Sequence, residues 1–239
     1  MSFTIHTTPT PLPDAVRALN QALAVLRERE VLLLTSGGSA LALMEHVDPS
    51  LMGPHVCITV LDERWTREAA DSNFTCLTTL PSWKGFLDAG ATSIDPRPRA
   101  GDDLYATAAR FDRALKHWHI THRHGTALAI MGIGTDGHTA GILPFPRDPD
   151  TFTALFMHRT TCVRGYTVAP EVSPHTQRMS ATVTYLLRHV DHTIVYATGA
   201  AKRGALHALL DEQAAPHTVP ACVLRSLRDV LLYTDQPLT

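Results

Sequence analysis

Apolar residues along this chain alternate between two periods. Val16, Leu19, Leu23 and Leu26 fall at helical spacing behind Pro13-Asp14, which predicts an amphipathic helix opened by a proline and an N-cap residue. A short β-rich run from Val31 to Leu34 follows at once, and a second runs from Val56 to Leu61. Residues 102–118 read as a helix with Leu104, Ala108, Phe111 and Leu115 inward, and Thr126 to Met131 as the next strand. Further strands are predicted at Cys162 to Val168, Thr193 to Thr198 and Val230 to Tyr233. Short apolar strands alternating with amphipathic helices predict an α/β fold: a mostly parallel sheet with helices on both faces. No internal repeat is visible. The proline-rich stretch from Pro81 to Pro98 reads as a long surface excursion, and the Thr/Pro-rich start from Thr7 to Pro13 as the one segment suggestive of disorder.

Composition narrows the class. At 239 residues, with 44% hydrophobic and 18% charged positions, the chain is expected to fold as one compact α/β domain over residues 1–239. A net charge of −2 offers no general attraction for nucleic acid or an anionic membrane, so a bound anion has to be held by local groups. No basic n-region with an apolar h-region opens the chain, and no run is long enough to span a bilayer, which points to a cytoplasmic protein. Cys57, Cys76, Cys162 and Cys222 are scattered without C-x-x-C spacing and read as reduced, mostly buried thiols. Fourteen histidines are many, and four lie in Lys116-His-Trp-His-Ile-Thr-His-Arg-His124. With no carboxylate or cysteine beside them, they read as a solvated helix end and not as a metal cage.

The polar residues fall in a telling place. Thr35-Ser36-Gly37-Gly38-Ser39 follows the first apolar strand, Asp62-Glu63-Arg64 the second, Gly132 to His138 the third, and Thr198-Gly199 with Lys202 a later one. In an open α/β sheet, ligands bind at the carboxyl ends of the strands, so these separated segments should converge on one crevice.

Each piece has its own chemistry. Gly132-Ile-Gly-Thr-Asp-Gly137 satisfies G-x-G-x-x-G, but Pro144 and Pro146 would break the helix that a dinucleotide fingerprint requires. The alternative is an active-site loop in which Asp136 and His138, two apart on a turn, aim at one ligand. Imidazole titrates near working pH and a carboxylate can select its tautomer, which makes His138 the candidate general base. No nucleophile elbow and no activated cysteine is present, so His138 is expected to activate water directly, in a hydrolysis without a covalent intermediate. Ser36 to Ser39 can be a plain strand-to-helix turn, or a cradle of free N–H groups for a phosphate at a helix start. Lys202 opposes the dipole of the helix it opens, a conflict that an anion would resolve, and Arg178 could grip the same anion with its planar fork. Taken separately, each cation reads first as a solvated surface charge. Asp62-Glu63-Arg64 reads as an internal salt bridge with helix capping, or as Arg64 facing the crevice with Asp62 fixing a partner or the ligand.

These pieces, in this order, resemble the 6-phosphogluconolactonase family, which shares its fold with glucosamine-6-phosphate deaminases. The resemblance rests on Ser36-Gly-Gly-Ser39, Asp62-Glu-Arg64 with Ser72-Asn73, Gly132-Ile-Gly-Thr-Asp-Gly-His138, Arg178-Met-Ser-Ala-Thr182 and Gly199-Ala-Ala-Lys202. It implies a Rossmann-like sheet and hydrolysis of 6-phospho-D-glucono-1,5-lactone to 6-phospho-D-gluconate, a pentose phosphate pathway step that needs neither metal nor cofactor. His138 would be the base, Asp136 its support, and Arg64 a group that places the lactone and steadies the oxyanion. Gly37, Gly38, Ser39, Arg178 and Lys202 would hold the 6-phosphate, with Asp62, Asn73, Gly132 and Gly134 completing the binding set. Deaminases of this fold usually continue the loop into Asn-Glu-Pro, whose glutamate relays protons; here Ile142-Leu143-Pro144 stands instead. A sugar-phosphate sensor is the rival of another class, although no basic helix-turn-helix pattern is present. The chain departs from the family at Trp65-Thr66-Arg67, where a small residue, valine and proline are common, in lacking Thr-Pro after the glycines, and at Gly141, where serine is frequent.

Overall fold

The computed structural model describes residues 2–238. Its strands are β1 (Ser2–Thr7), β2 (Val31–Thr35), β3 (Val56–Val60), β4 (Asp62–Arg64), β5 (Thr92–Ser93), β6 (Thr126–Met131), β7 (Val163–Thr167), β8 (Gln177–Ala181), β9 (His192–Tyr196) and β10 (Asp229–Thr234). The helices are α1 (Leu12–Val25), α2 (Leu41–Met44), α3 (Asn73–Thr78), α4 (Trp83–Asp88), α5 (Leu104–Thr121), α6 (Pro149–Phe156), α7 (Val183–His189) and α8 (Arg203–Leu210).

Seven strands form one parallel sheet in the order β1-β10-β9-β6-β2-β3-β5. The near-continuous apolar runs of β2 and β6 make them the sheet's centre, every residue of both being buried. Their side chains alternate between two cores. Leu32, Leu34, Ala127 and Ala129 face the side covered by Phe111 and Leu115 of α5, Leu186 of α7 and Leu206 of α8. Val31, Leu33, Leu128 and Ile130 face the side covered by Ala15, Leu19 and Leu23 of α1 and by Phe74, Trp83 and Phe86. Helices therefore cover both faces, as the alternation of periods predicts. Removing the fully buried Leu23 side chain would cost about 2–5 kcal/mol, which is how firmly this face holds α1.

Four expectations need correction. The first helix starts at Leu12, ahead of Pro13, and Asp14 lies in its first turn paired with Arg17 at 2.9 Å instead of capping it. Ser2–Thr7 is an edge strand paired along its length with β10 and α1 starts at Leu12, so of the Thr7 to Pro13 stretch only residues 8–11 lie between elements. The proline-rich excursion holds α4 and β5, anchored by buried Trp83 and Phe86. The histidine-rich segment is the last turn of α5 and its cap, and it is not uniformly solvated. His119 packs against His189 with ring centroids 4.5 Å apart and meets the Tyr185 hydroxyl at 3.1 Å through Nε2. Burial, with His189 adding to it, lowers the His119 pKa to about 4.

A second sheet is unexpected, and only its β7 falls on a predicted strand, Cys162 to Val168. β4, β8 and β7 pair antiparallel in that order, with Asp62 opposite Ser180 and Arg64 opposite Arg178. Among the described residues no helix is long and apolar enough to cross a membrane, and no three His, Cys, Asp or Glu side chains gather as a metal site.

Candidate active site

The loops leaving β2, β6 and β9 meet β4 and β8 of the smaller sheet around a crevice of about 150 Å³. Gly37, Gly38, Ser39, Asp62, Arg64, Asn73, Gly132, Gly134, His138, Arg178 and Lys202 all line it. Asp136 stands behind His138. Convergence at the carboxyl edge follows from the parallel sheet, while Arg178 arrives from the smaller sheet.

The loop after β6 folds back on itself. Gly134 N–H donates to the His138 carbonyl at 2.8 Å, and the Thr139 hydroxyl donates to the Gly132 carbonyl at 2.8 Å. A side chain at 134 would collide: its Cβ would lie 2.0 Å from His138 Nδ1 and 2.5 Å from Asp136 Oδ1. Glycine there leaves room for the pair, in which His138 Nδ1 lies 2.6 Å from Asp136 Oδ1. Partial burial would raise the Asp136 carboxyl, but its hydrogen bond to His138 and their opposite charge hold it below the usual carboxylate range. An ionised carboxylate only accepts, so Nδ1 carries a proton, and in the neutral form of the ring the lone pair is the one on Nε2. With 38% of its side chain exposed, His138 is reachable by water.

The opposite wall is built on buried charge. Asp62 accepts from Arg178 Nη2 at 3.2 Å and from Asn73 Nδ2 at 3.2 Å. Glu63, fully buried, accepts from the Asn73, Phe74 and Arg64 N–H groups and from the Ser72 hydroxyl, so it caps α3 and fixes Asn73. Burial pushes the Glu63 carboxyl up, against the pull of these donors. The internal reading of Asp62-Glu63 and the crevice-facing reading of Arg64 therefore hold together. Arg64 reaches the crevice with one arm donating to the Asp71 carbonyl at 3.0 Å, and the Nε groups of Arg64 and Arg178 are buried without a partner. Arg178 is not a solvated surface charge: it is 5% exposed.

The glycine turn after β2 is tighter than a helix N-terminus. A 3₁₀ turn over Gly38–Ala40 precedes α2, a single turn of four residues, so the backbone amides and not a long macrodipole would serve an anion there. Gly37 packs on Asn73, whose Oδ1 would sit 2.1 Å from an added Cβ. Lys202 closes a 3₁₀ turn over Ala200–Lys202 ahead of α8 and has no carboxylate within 4.0 Å among the described residues. Three cations thus face the crevice with one acid, Asp62, which is already paired.

Ser36, Ile133, Ala140 and Gly141 also line the crevice and were not among the selected residues. Ser36 has a buried hydroxyl without a partner, and its place in the Ser-Gly-Gly-Ser turn was signal enough. The other three carry no polar side chain, so side-chain chemistry cannot flag them. Trp65 lies outside the crevice, its indole N–H 3.3 Å from the Thr107 hydroxyl and its ring against the core.

An open parallel sheet with an imidazole–carboxylate pair and surplus positive charge at its carboxyl edge is an arrangement suited to a small anionic ligand. The comparison with known families makes this particular. The chain belongs to the family described as glucosamine-6-phosphate isomerases/6-phosphogluconolactonase, whose profile matches residues 13–232. It is 29% identical over 200 residues to a 6-phosphogluconolactonase of Helicobacter pylori strain J99, a match covering 82% of this chain and 79% of that one. A counterpart from strain 26695 is 27% identical over 218 residues, covering 87% of each chain. The crystal structure of a 6-phosphogluconolactonase from Shewanella baltica superposes with a TM-score of 0.74 at 19% identity, covering 98% of this chain and 97% of the other. That from Leishmania guyanensis gives 0.70 at 21% identity, covering 98% and 97%. These two likenesses establish the shared fold.

Proposed function

We propose that this protein hydrolyses 6-phospho-D-glucono-1,5-lactone to 6-phospho-D-gluconate, with His138 as the base that activates water. The observation that carries the reading is the His138–Asp136 pair at 2.6 Å, with His138 lining a crevice that Arg64, Arg178 and Lys202 also line. Nε2 takes a proton from water as the water oxygen bonds to the lactone carbonyl carbon. Asp136 steadies the imidazolium that results. When the tetrahedral intermediate collapses, the ring C–O bond breaks and the imidazolium returns the proton to the departing ring oxygen. The product acid then loses its own proton at neutral pH. The chemistry needs no metal in this scheme, because the base is supplied by the imidazole and the phosphate is held by Arg178, Lys202 and the Gly37–Ser39 amides.

The family also contains isomerases, and Leu143 separates the two reactions here. It is 3% exposed and packed in the core, so it offers no proton relay where deaminases usually carry glutamate. The two H. pylori relatives, both named for the lactonase activity, support the same choice. The test is lactone opening above the spontaneous rate, run beside ammonia release from glucosamine 6-phosphate. Lactone opening without ammonia is expected. Ammonia release would overturn the assignment, and silence in both assays with sugar-phosphate binding retained would make the protein a sensor.

A further inference from the structure

The turn that follows His138 puts two successive residues in the left-handed backbone region, Ala140 at φ 50° and Gly141 at φ 72°. Among the described residues Ala140 is the only non-glycine there, a conformation that costs an L-residue roughly 1 kcal/mol or more. Two hydroxyls of the smaller sheet hold it. Ser180 Oγ donates to the Ala140 carbonyl at 2.6 Å, and the Tyr166 hydroxyl donates to the Gly141 carbonyl. Ser180 and Tyr166 are buried in β8 and β7, and neither lines the crevice.

That grip dictates where an amide points. No peptide bond among the described residues is cis, and a trans peptide sets its C=O and N–H in opposite directions. With the Ala140 carbonyl turned to Ser180, the Gly141 N–H is turned the opposite way, and of the two residues Gly141 lines the crevice while Ser180 does not. Gly141 is buried, and its N–H has no hydrogen-bond partner among the described residues. A buried amide left unpaired is rare and costs about 1–3 kcal/mol. Strain in the backbone and an unmet donor therefore coincide at one peptide, three residues from the candidate base.

We propose that the Gly141 N–H is an oxyanion donor of this site and that Ser180 and Tyr166 are positioning residues that aim it. The proposal rests on the lactonase reading and extends it. As water adds to the lactone carbonyl, negative charge grows on the carbonyl oxygen, and a donor already fixed toward that oxygen stabilises the transition state without reorganising. No covalent bond forms to the amide, and it releases the oxygen when the carbonyl is restored. The acid on this wall does not oppose it, since Asp62 is occupied by Arg178 and Asn73. The position excludes a side chain as well: a Cβ at 141 would lie 2.3 Å from Asp62 Cβ.

The decisive experiment exchanges the Gly141 amide for an ester by building the chain with glycolic acid at position 141, which removes the N–H and also makes the Ala140 carbonyl, the acceptor of Ser180, a weaker one. The expected result is a fall in kcat for the phosphogluconolactone of about a hundred- to a thousand-fold, with KM within a few-fold. Ser180→Ala should lower kcat in the same direction, and combined with the ester it should add little, because both changes disable one donor. A folded ester variant with the parent kcat, or one altered in KM alone, overturns the proposal. If the ester chain fails to fold, Ser180→Ala decides, and an unchanged kcat there also overturns it. Parent protein that opens no lactone would instead remove the lactonase reading, so the two failures are told apart.

Discussion

Arg178 and Asp62 meet 3.2 Å apart with 6% of each side chain exposed, at the seam where the smaller sheet backs the crevice. The pair lets a guanidinium sit at a ligand wall without an uncompensated buried charge. Asn73 and Ser173 supply further bonds to the two partners. Removing one partner of such a pair strands the other, so Asp62→Ala should destabilise the fold by about 3–5 kcal/mol. Asp62→Asn, which keeps an acceptor of the same shape, should cost less. Urea unfolding checks this, and an Asp62→Ala midpoint equal to that of the parent would show that the pair does not hold the seam.

The His138–Asp136 pair makes a graded prediction. His138→Ala should lower kcat by about a hundred- to ten-thousand-fold while sugar-phosphate binding survives, because His138 is not among the groups proposed to hold the phosphate. Asp136→Asn should have a smaller effect in the same direction, since the amide can still occupy Nδ1 but no longer selects the tautomer or carries charge. The Asp136 carboxyl lies below its usual range, so it stays ionised throughout the neutral range, and its support is lost only as pH falls through that lowered value. Steady-state rates with the spontaneous reaction subtracted decide the matter. Parent-like turnover in His138→Ala would remove His138 as the base.

The elements that were legible in sequence are those whose pattern is set by burial alone. The runs Val31 to Leu34 and Thr126 to Met131 sit at the sheet centre, where apolar residues are required on both faces. What escaped has other causes. Asp62-Glu63-Arg64 is a strand of three charged residues, held by pairing with β8 and by the groups that surround Glu63, and no hydrophobic period marks it. Ser2–Thr7 is mostly exposed at an edge, so it lacks a buried face to announce it. α4 hides between prolines and shows only Trp83 and Phe86. At the site, Asp136 and His138 were legible because a glycine-rich turn at a strand end has few structural uses for an acid and an imidazole. Gly141 was not, because its candidate chemistry resides in a backbone amide whose direction is set by Ser180, a residue 39 positions away in the chain.

Lys202 should act on affinity for the phosphate and little else. It has no ion pair among the described residues and lines the crevice. Lys202→Ala is expected to raise KM about ten-fold, a loss on the order of one charge-assisted hydrogen bond, with a smaller change in kcat. The control is the unphosphorylated lactone, whose hydrolysis should be insensitive to the substitution. Equal losses on both substrates would place Lys202 at the reacting carbonyl instead.

The histidines behind α5 set a pH dependence of stability that is separate from the site. His119 touches the Tyr185 hydroxyl through Nε2 and lies against the His189 ring, with its pKa lowered to about 4; burial also lowers His189. In the unfolded chain a histidine titrates near 6.5, so the unfolded state takes up protons first as pH falls. Stability contributed by neutral His119 is therefore fully present above pH about 6.5 and is lost as pH drops toward its folded value of about 4. Partial exposure reduces the effect, leaving on the order of 2 kcal/mol. Carboxylates with lowered pKa values protonate below this window, whereas Glu63, pushed up by burial, opposes the histidines as pH falls, so the difference between parent and His119→Phe is what isolates His119. Denaturant midpoints of the parent should fall between pH 6.5 and 4, and those of His119→Phe should fall by visibly less, with His189 accounting for part of the remainder. A parent midpoint that falls no more than that of His119→Phe across this range would show that His119 is protonated in the folded protein, against the burial and ring contacts that hold it neutral.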